Sequence, residues 1–297
     1  MTPIKHILAA TDLSAHGRHA ADRAARIARS TGARLTLLHA PPAGDLARLR
    51  QWLGQDMERR VREEASGRLQ ALADELHGAR GVEVEARLAD GEVLPAVTRC
   101  ADEIDAGLIV VGARGEGFLR RLVLGSTAER LLRRTARPLL IVRALAHEPY
   151  RRALLAIDFS LWSAQVLAQA REVAPAARFV LFHAFEVPFE EKLRFAGVDD
   201  AVIQMYRQQA RLDASYQLQA MADAAGLKPG ARDARVVEGD ASARLVEQEQ
   251  ALDCDLVVMG KHGRSAVEDL MLGSVTKHVL AEGLADVLVA TRGPAPT

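Results

Sequence analysis

Cysteine is nearly absent from this chain: there are two in 297 residues, Cys100 and Cys254. They form no Cys-x-x-Cys pair, and under the repeat described below they are not equivalent positions. A disulfide framework and a thiolate zinc site are thereby excluded as organising features, and a reducing cytoplasm is the expected location. Aromatic residues make up only 4%, so the cores must be built from Ala, Leu and Val. Neither sign of charge is in excess, with Lys plus Arg and Asp plus Glu at 39 each. That leaves no global basic field for nucleic acid or an anionic membrane. Apolar runs stay far short of the roughly 18–20 residues of a spanning helix. The opening residues Met1 to Asp12 lead straight into a strand pattern, and no signal peptide is read there.

What the chain does have is repetition. Leu108 to Val111 is an apolar run ending at Gly112; then come Gly115, nine residues, Gly125-Ser126, a helical pattern and the apolar run Leu139 to Val142. The spacing Gly-x2-Gly-x9-Gly-Ser returns at Gly260, Gly263 and Gly273-Ser274. A strand that ends in Gly turns sharply and admits a ligand without a Cβ in the way. Gly-Ser opening a helix leaves N–H groups and the positive end of the helix dipole facing that space, with a hydroxyl donor added. The combination suits phosphate. One copy alone reads as well as a glycine-rich turn before a Ser-capped helix. Two copies in strand–loop–helix context favour the anion site.

The rest of the chain repeats in step. Strands are expected at Ile4–Ala10, Arg34–Ala40, Val82–Leu88 (edge-like), Leu108–Val111 and Leu139–Val142. Helices are expected at Ser14–Ser30, Asp45–His77 with a break near Gly54, Val93–Ile104 and Ser126–Arg134. The second half has strands at Ala153–Ile157, Phe179–Ala184, Arg235–Val237, Leu256–Met259 and Val287–Ala290. Its helices run over Ser160–Val173, from Val198 to Tyr216, and over Ala243–Glu249 and Ser274–Ala281. Asp12 and Asp158 are 146 apart, His39 and His183 are 144 apart, and the paired glycines are 148 apart. The pattern predicts an α/β fold: two tandem doubly wound domains, 1–145 and 150–293, each a five-stranded parallel sheet with helices on both faces. The polar segment from Ala144 to Tyr150 joins them.

Ligands of such sheets bind at the carboxyl ends of strands, where the strand order reverses. Three segments should meet there in each half: Asp12-Leu13-Ser14 or Asp158-Phe159-Ser160, His39-Ala40 or His183-Ala184, and the glycine loop. A purine edge can pair with the backbone after the second strand. Asp-x-Ser, Leu-x-His (Leu37-Leu38-His39 and Leu181-Phe182-His183) and Gly-x2-Gly-x9-Gly-Ser together resemble the universal stress protein (UspA-like) family, in its tandem two-domain form. The resemblance covers essentially the whole chain. It implies a Rossmann-like sheet of order 3-2-1-4-5, ATP binding in many members, pairing of domains through their fifth strands, and motif residues that hold ribose and phosphates.

Carried onto this chain, it makes Asp12, Ala40, Gly112, Arg114, Gly115, Gly125, Ser126 and Thr127 the nucleotide-binding candidates of the first half. Those of the second are Asp158, Ala184, Gly260, His262, Gly263, Gly273, Ser274, Val275 and Thr276. The second copy keeps a hydroxyl at Thr276 where the first has Ala128, so the second site is expected to bind more tightly. Arg114, Arg120 and Arg121 in one loop, and Lys261, His262 and Arg264 in the other, are cations suited to phosphates. Asp12 and Asp158 read either as ligand or magnesium contacts or as caps of the helices that follow. His39 and His183 read as structural, bonded to nearby backbone. His262 with His278 is thin evidence for a metal, and no resident metal or catalytic residue is assigned.

The expected function is a stress-response regulator or sensor that binds ATP, ADP or AMP, with or without Mg2+, and has an unidentified protein partner. A slow ATPase is the alternative, or an adenylyl- or phosphoryl-transfer enzyme. Against transfer chemistry, no Gly-x4-Gly-Lys-[Ser/Thr], His-x-Gly-His or Ser-Gly-Gly-x-Asp motif is present. A scaffold with vestigial sites and a flavin carrier are the other readings. The fifth strands are expected to close side by side as an intramolecular pseudo-dimer, with homodimerisation optional.

Overall fold

The computed structural model describes residues 3–113, 125–143, 145, 148–160, 162–187, 190–261 and 272–291. The first half runs β1 (His6–Ala10), α1 (Ala15–Thr31), β2 (Arg34–His39), α2 (Ala43–Leu53), α3 (Gln55–Arg80), β3 (Val84–Leu88), α4 (Val93–Glu103), β4 (Leu108–Gly112), α5 (Ser126–Arg134) and β5 (Leu139–Val142). The second runs β6 (Arg152–Ala156), α6 (Ser163–Val173), β7 (Arg178–Phe185), α7 (Glu190–Phe195), α8 (Asp200–Ala224), β8 (Arg232–Glu238), α9 (Ala241–Ala251), β9 (Leu256–Gly260), α10 (Ser274–Glu282) and β10 (Asp286–Ala290). The break expected near Gly54 is real: that residue sits at φ 85°, a conformation glycine adopts without strain, and separates α2 from α3. The helix expected from Val198 to Tyr216 is α8, which extends further at its C-terminal end and is preceded by the short α7. The third strand of the second half is also longer than its apolar core Arg235–Val237 suggested. Its outer residues are held by register with β7, which hydropathy does not record.

All ten strands form one sheet, in the order β3-β2-β1-β4-β5-β10-β9-β6-β7-β8. Each half has the expected 3-2-1-4-5 order and is parallel throughout. The fifth strands meet antiparallel, with Ile141 opposite Val287 and Leu139 opposite Val289. Strand direction therefore reverses at the centre, and the carboxyl ends of the two parallel sets lie at opposite ends of the sheet.

Successive residues of a strand face opposite sides, and each side carries one core. Ile7, Ala9, Leu35 and Val110 pack with α1 and α3, and the same cluster continues through α6 and α8. Leu8, Leu38, Ile109 and Ile141 pack with α4 and α5, continuing through α9 and α10. The scarcity of aromatics is met by alanine: Ala20, Ala21, Ala24, Ala25 and Ala28 let α1 lie close on the sheet, fully buried.

A buried polar group crosses the junction. Asp286 accepts from the Arg143 backbone N–H (2.8 Å) and from the Tyr150 hydroxyl (2.7 Å), and its carboxylate lies 3.2 Å from the Arg23 guanidinium. Arg23 also donates to the Glu148 carbonyl and stacks 4.0 Å over the Tyr150 ring. Burial and the Asp286 charge hold the Tyr150 phenol well above its usual range, so it stays a donor. A buried carboxylate is tolerable when paired and hydrogen-bonded in this way.

Candidate functional site

Two turns at the strand ends are built alike in both halves. Asp12 Oδ1 accepts from the Ser14 N–H (3.0 Å) and hydroxyl (2.5 Å), and the Ser14 hydroxyl in turn accepts from the Gly17 N–H as the cap of α1. Asp158 Oδ1 accepts from the Ser160 N–H (2.9 Å) and the Ser163 hydroxyl (3.0 Å). Between aspartate and serine, Leu13 and Phe159 hold φ of 64° and 58°. The left-handed conformation costs a non-glycine residue about 1–2 kcal/mol, and both turns retain it. The histidines serve the same architecture: His39 Nδ1 lies 2.8 Å from the Thr11 carbonyl and His183 Nδ1 lies 2.8 Å from the Ile157 carbonyl. Each ties the end of the second strand to the turn after the first.

In the first half these turns border a cleft between β1 and β4, where the strand order reverses. It comprises about 550 Å³, counting its open mouth. Of the sequence candidates, Asp12, Ala40, Gly112, Gly125 and Thr127 line it. Apolar walls come from Leu38, Val93, Val97 and Val111, with Ala128 also in the lining. The Gly125 N–H donates to the Ala113 carbonyl (2.8 Å), drawing the start of α5 against the end of β4. Gly125, the cap residue of α5, supplies no side-chain bond. The helix thus opens on the cleft side with its first N–H groups uncapped by a side chain, the arrangement that attracts anions. Ser126 begins α5 next to these lining residues. Arg114, Gly115, Arg120 and Arg121 lie outside the described residues.

Gly17 is a lining residue that motif spacing did not single out. A Cβ there would meet Asp12 Oδ1 and Thr11 Oγ1, each at 2.5 Å, so the absence of a side chain is what lets the turn lie on α1. The signal was in the sequence: an isolated glycine inside an alanine-rich helical pattern marks a close approach. The same offset of 146 that pairs Asp12 with Asp158 pairs Gly17 with Ser163, which fills the position with the hydroxyl that bonds Asp158.

In the second half Gly260 ends β9, and Gly273 precedes Ser274, Val275 and Thr276 at the start of α10, again with no side-chain cap. Thr276 is buried, as is Ala128. The Thr276 hydroxyl that ranked the second copy higher thus sits away from open solvent, while its counterpart Ala128 lines the first cleft. The strand that precedes Ala184 also differs. β7 runs on to Phe185, whose carbonyl accepts from the Gly239 N–H (2.9 Å), so Ala184 is inside sheet pairing. Lys261 is not turned to a phosphate site: its Nζ donates to the carbonyls of Arg133 (3.1 Å) and Thr135 (3.0 Å) in the other half. His262, Gly263 and Arg264 lie outside the described residues, and with them the pairing of His262 with His278.

The two cysteine thiols offer no nucleophile. Both are buried and unpaired; burial raises the Cys100 pKa and pushes Cys254 up to about 12. Among the described residues no group of three or more His, Cys, Asp or Glu side chains is placed to hold a metal ion, and no helix is long and apolar enough to cross a membrane.

The model of the Universal stress protein family matches residues 3–143 and again residues 149–291. A universal stress protein of Mycobacterium tuberculosis is 30% identical over 224 residues, covering 74% of this chain and 73% of that relative. One from Mycolicibacterium smegmatis is 28% identical over 306 residues, covering 95% of this chain and 96% of its own. The crystal structure of a universal stress protein from Archaeoglobus fulgidus superposes with a TM-score of 0.72 at 18% identity, covering 97% of this chain and 98% of that one, a likeness of fold. With the motif spacing doubled and the family model matched twice, the chain belongs to the universal stress protein family.

Proposed function

We propose that this protein binds an adenine nucleotide in the cleft between β1 and β4 and acts in the cytoplasm as a stress-response regulator, as two domains of residues 1–145 and 150–293. The observation that carries this reading is the convergence on one cleft of an uncapped helix start, three glycines, an aspartate and an apolar wall. Phosphates suit the α5 N-terminus, with Gly125, Ser126 and Thr127 as contacts and Gly112 allowing close approach. The base suits the apolar wall near Val93 and Val97, with the Ala40 backbone as its polar edge; Pro41 and Pro42 beyond it have no N–H to offer. Asp12 is the carboxylate placed to meet ribose or a magnesium ion brought by the phosphates. Magnesium needs few protein ligands when phosphates and water supply the rest.

Sequence ranks the second site higher. Support for the first comes from the cleft that Asp12, Ala40, Gly112, Gly125 and Thr127 line together, with Gly17 seating the Asp12 turn on α1, whereas the Lys261 ammonium of the second is bonded to the Arg133 and Thr135 carbonyls. Mass spectrometry of the supernatant from denatured, freshly purified protein tests the reading. Retained ATP supports a regulator that binds without rapid turnover. ADP with released phosphate points to the slow ATPase, and AMP with pyrophosphate to adenylyl transfer. Absence of any nucleotide, together with no heat on titration with MgATP, overturns the reading in favour of a scaffold.

A further inference from the structure

The helices that open at the two glycine-serine pairs are short, nine residues each. Helices of that length are marginal unless their ends are fixed. Neither N-terminus has a side-chain cap. Both C-termini are held instead, and in each case by a cation from the opposite half. Lys261, buried, donates to the Arg133 and Thr135 carbonyls at the end of α5. Arg143 donates to the carbonyls of Gly283 (2.8 Å), Leu280 (2.5 Å) and Val279 (3.4 Å) at the end of α10. These two cations are not related by the repeat: an offset of 148 pairs Lys261 with Ala113 and Arg143 with Thr291. Two unrelated side chains have arrived at the same task.

We propose that Lys261 and Arg143 are positioning residues, each setting through α5 or α10 the nucleotide affinity of the site in the other half. The inference rests on the nucleotide reading above. A cation at a helix C-terminus stabilises the last carbonyls and complements the dipole. It also fixes how far the N-terminus of α5 projects toward the cleft, since a rigid helix moved at one end moves at the other. Lys261 has a second attachment that makes the arrangement a coupling. It directly follows Gly260 at the mouth of the second glycine loop, and its own N–H donates to the Ala290 carbonyl of β10 (3.0 Å). One residue thus joins the start of the second loop to the helix that serves the first cleft. Linkage then requires the effect to run both ways: a ligand that shifts Lys261 alters the first cleft, and a ligand in the first cleft alters the position of Lys261.

The test uses the full-length chain and MgATP. Wild type, Lys261→Met and Lys261→Arg are titrated by calorimetry, with hydrogen exchange recorded separately over residues 125–134 and 273–282. The expected result is that MgATP slows exchange over 125–134 in the wild type. Lys261→Met should weaken the associated affinity 3- to 10-fold, and Lys261→Arg should recover it to within 2-fold. Melting curves taken in parallel separate this from a structural role, which would lower the melting temperature of Lys261→Met and leave its affinity unchanged. That outcome overturns the proposal while leaving the nucleotide reading intact. A wild type that binds no MgATP overturns both. If Lys261→Met does not fold, Lys261→Gln keeps a donor without the charge, and an unaltered affinity in that variant counts against the proposal.

Discussion

The two halves share a backbone down to their strained turns, yet they treat the same corner of the fold differently. In the first, Gly17 lets the Asp12 turn pack directly on α1, and the cleft walls are largely apolar. In the second, Ser163 occupies that place and its hydroxyl binds Asp158. After the second strand, the first half turns away through Pro41 and Pro42, whereas the second continues pairing through Phe185. The lesson is that a motif of glycines marks where a site can be built, and the residues behind the motif decide how the turn beside it is seated.

The largest expected effect is on the junction that makes the halves comparable. Asp286→Ala removes the acceptor shared by Arg143, Tyr150 and Arg23 and strands the buried Arg23 charge. Breaking a buried pair in this way costs about 3–5 kcal/mol, which urea unfolding should register. A loss under about 1 kcal/mol, the range of an exposed pair, would mean that the halves are held by the β5–β10 pairing alone. Next is Gly17→Ser, which gives the first half the residue of the second. The contacts at 2.5 Å predict a forced shift of the Asp12 turn, destabilising by about 1–3 kcal/mol as overpacking does. Affinity for nucleotide should fall at least tenfold. If affinity is unchanged, the seating of the Asp12 turn on α1 does not set nucleotide binding.

A smaller difference should appear with acid. His6 is buried with Nε2 2.8 Å from the Thr36 hydroxyl, and burial, aided by the Arg34 charge, lowers its pKa below the usual 6.5. The unfolded chain therefore takes up the proton first as pH falls. The contribution of neutral His6 is complete above pH 6.5 and is lost as pH drops through the depressed folded value. The equivalent position in the second half is Arg152, so this sensitivity belongs to the first half. Urea midpoints at about pH 7.5 and about pH 5.5 should differ more in wild type than in His6→Leu; equal differences would remove His6 as the cause. The smallest effect is expected from Ala128→Thr, which installs the hydroxyl of Thr276. Ala128 lines the cleft but is almost fully buried, so a hydroxyl there offers little surface to a ligand and affinity in the first cleft should change by less than twofold. A gain of tenfold would restore the ranking that the sequence suggests.

Much of this fold was legible because its signals are local. The apolar runs at Leu108–Val111 and Leu139–Val142, the Gly54 break and the repeat offsets each depend on a few neighbouring residues, and the structure places them as expected. The pairing of β5 with β10 followed from the exposed edge that each half would otherwise leave. What was not legible depends on residues distant in sequence. Lys261 reads as a phosphate cation until the end of α5 is seen beside it. Arg143 stands between the strand Leu139–Val142 and the joining segment that begins at Ala144, and no neighbouring residue marks it for a role. Gly17 carries a local signal as an isolated glycine in a helical pattern, but the groups that approach it are seen only once the Asp12 turn lies against α1. Thr276 illustrates the converse: its type was read correctly, but its burial could not be.

The cation clamps have one more consequence, through symmetry. In a dimer of identical chains every substitution appears twice, and each interface position faces a partner obeying the same rotation. Lys261 against α5 and Arg143 against α10 break that rule, since neither has its counterpart in the other half. Covalent fusion of the repeats removed the requirement. A change at position 261 now alters one interface contact and leaves Ala113 as it was, so the two halves can diverge independently while the tether keeps them at high effective concentration.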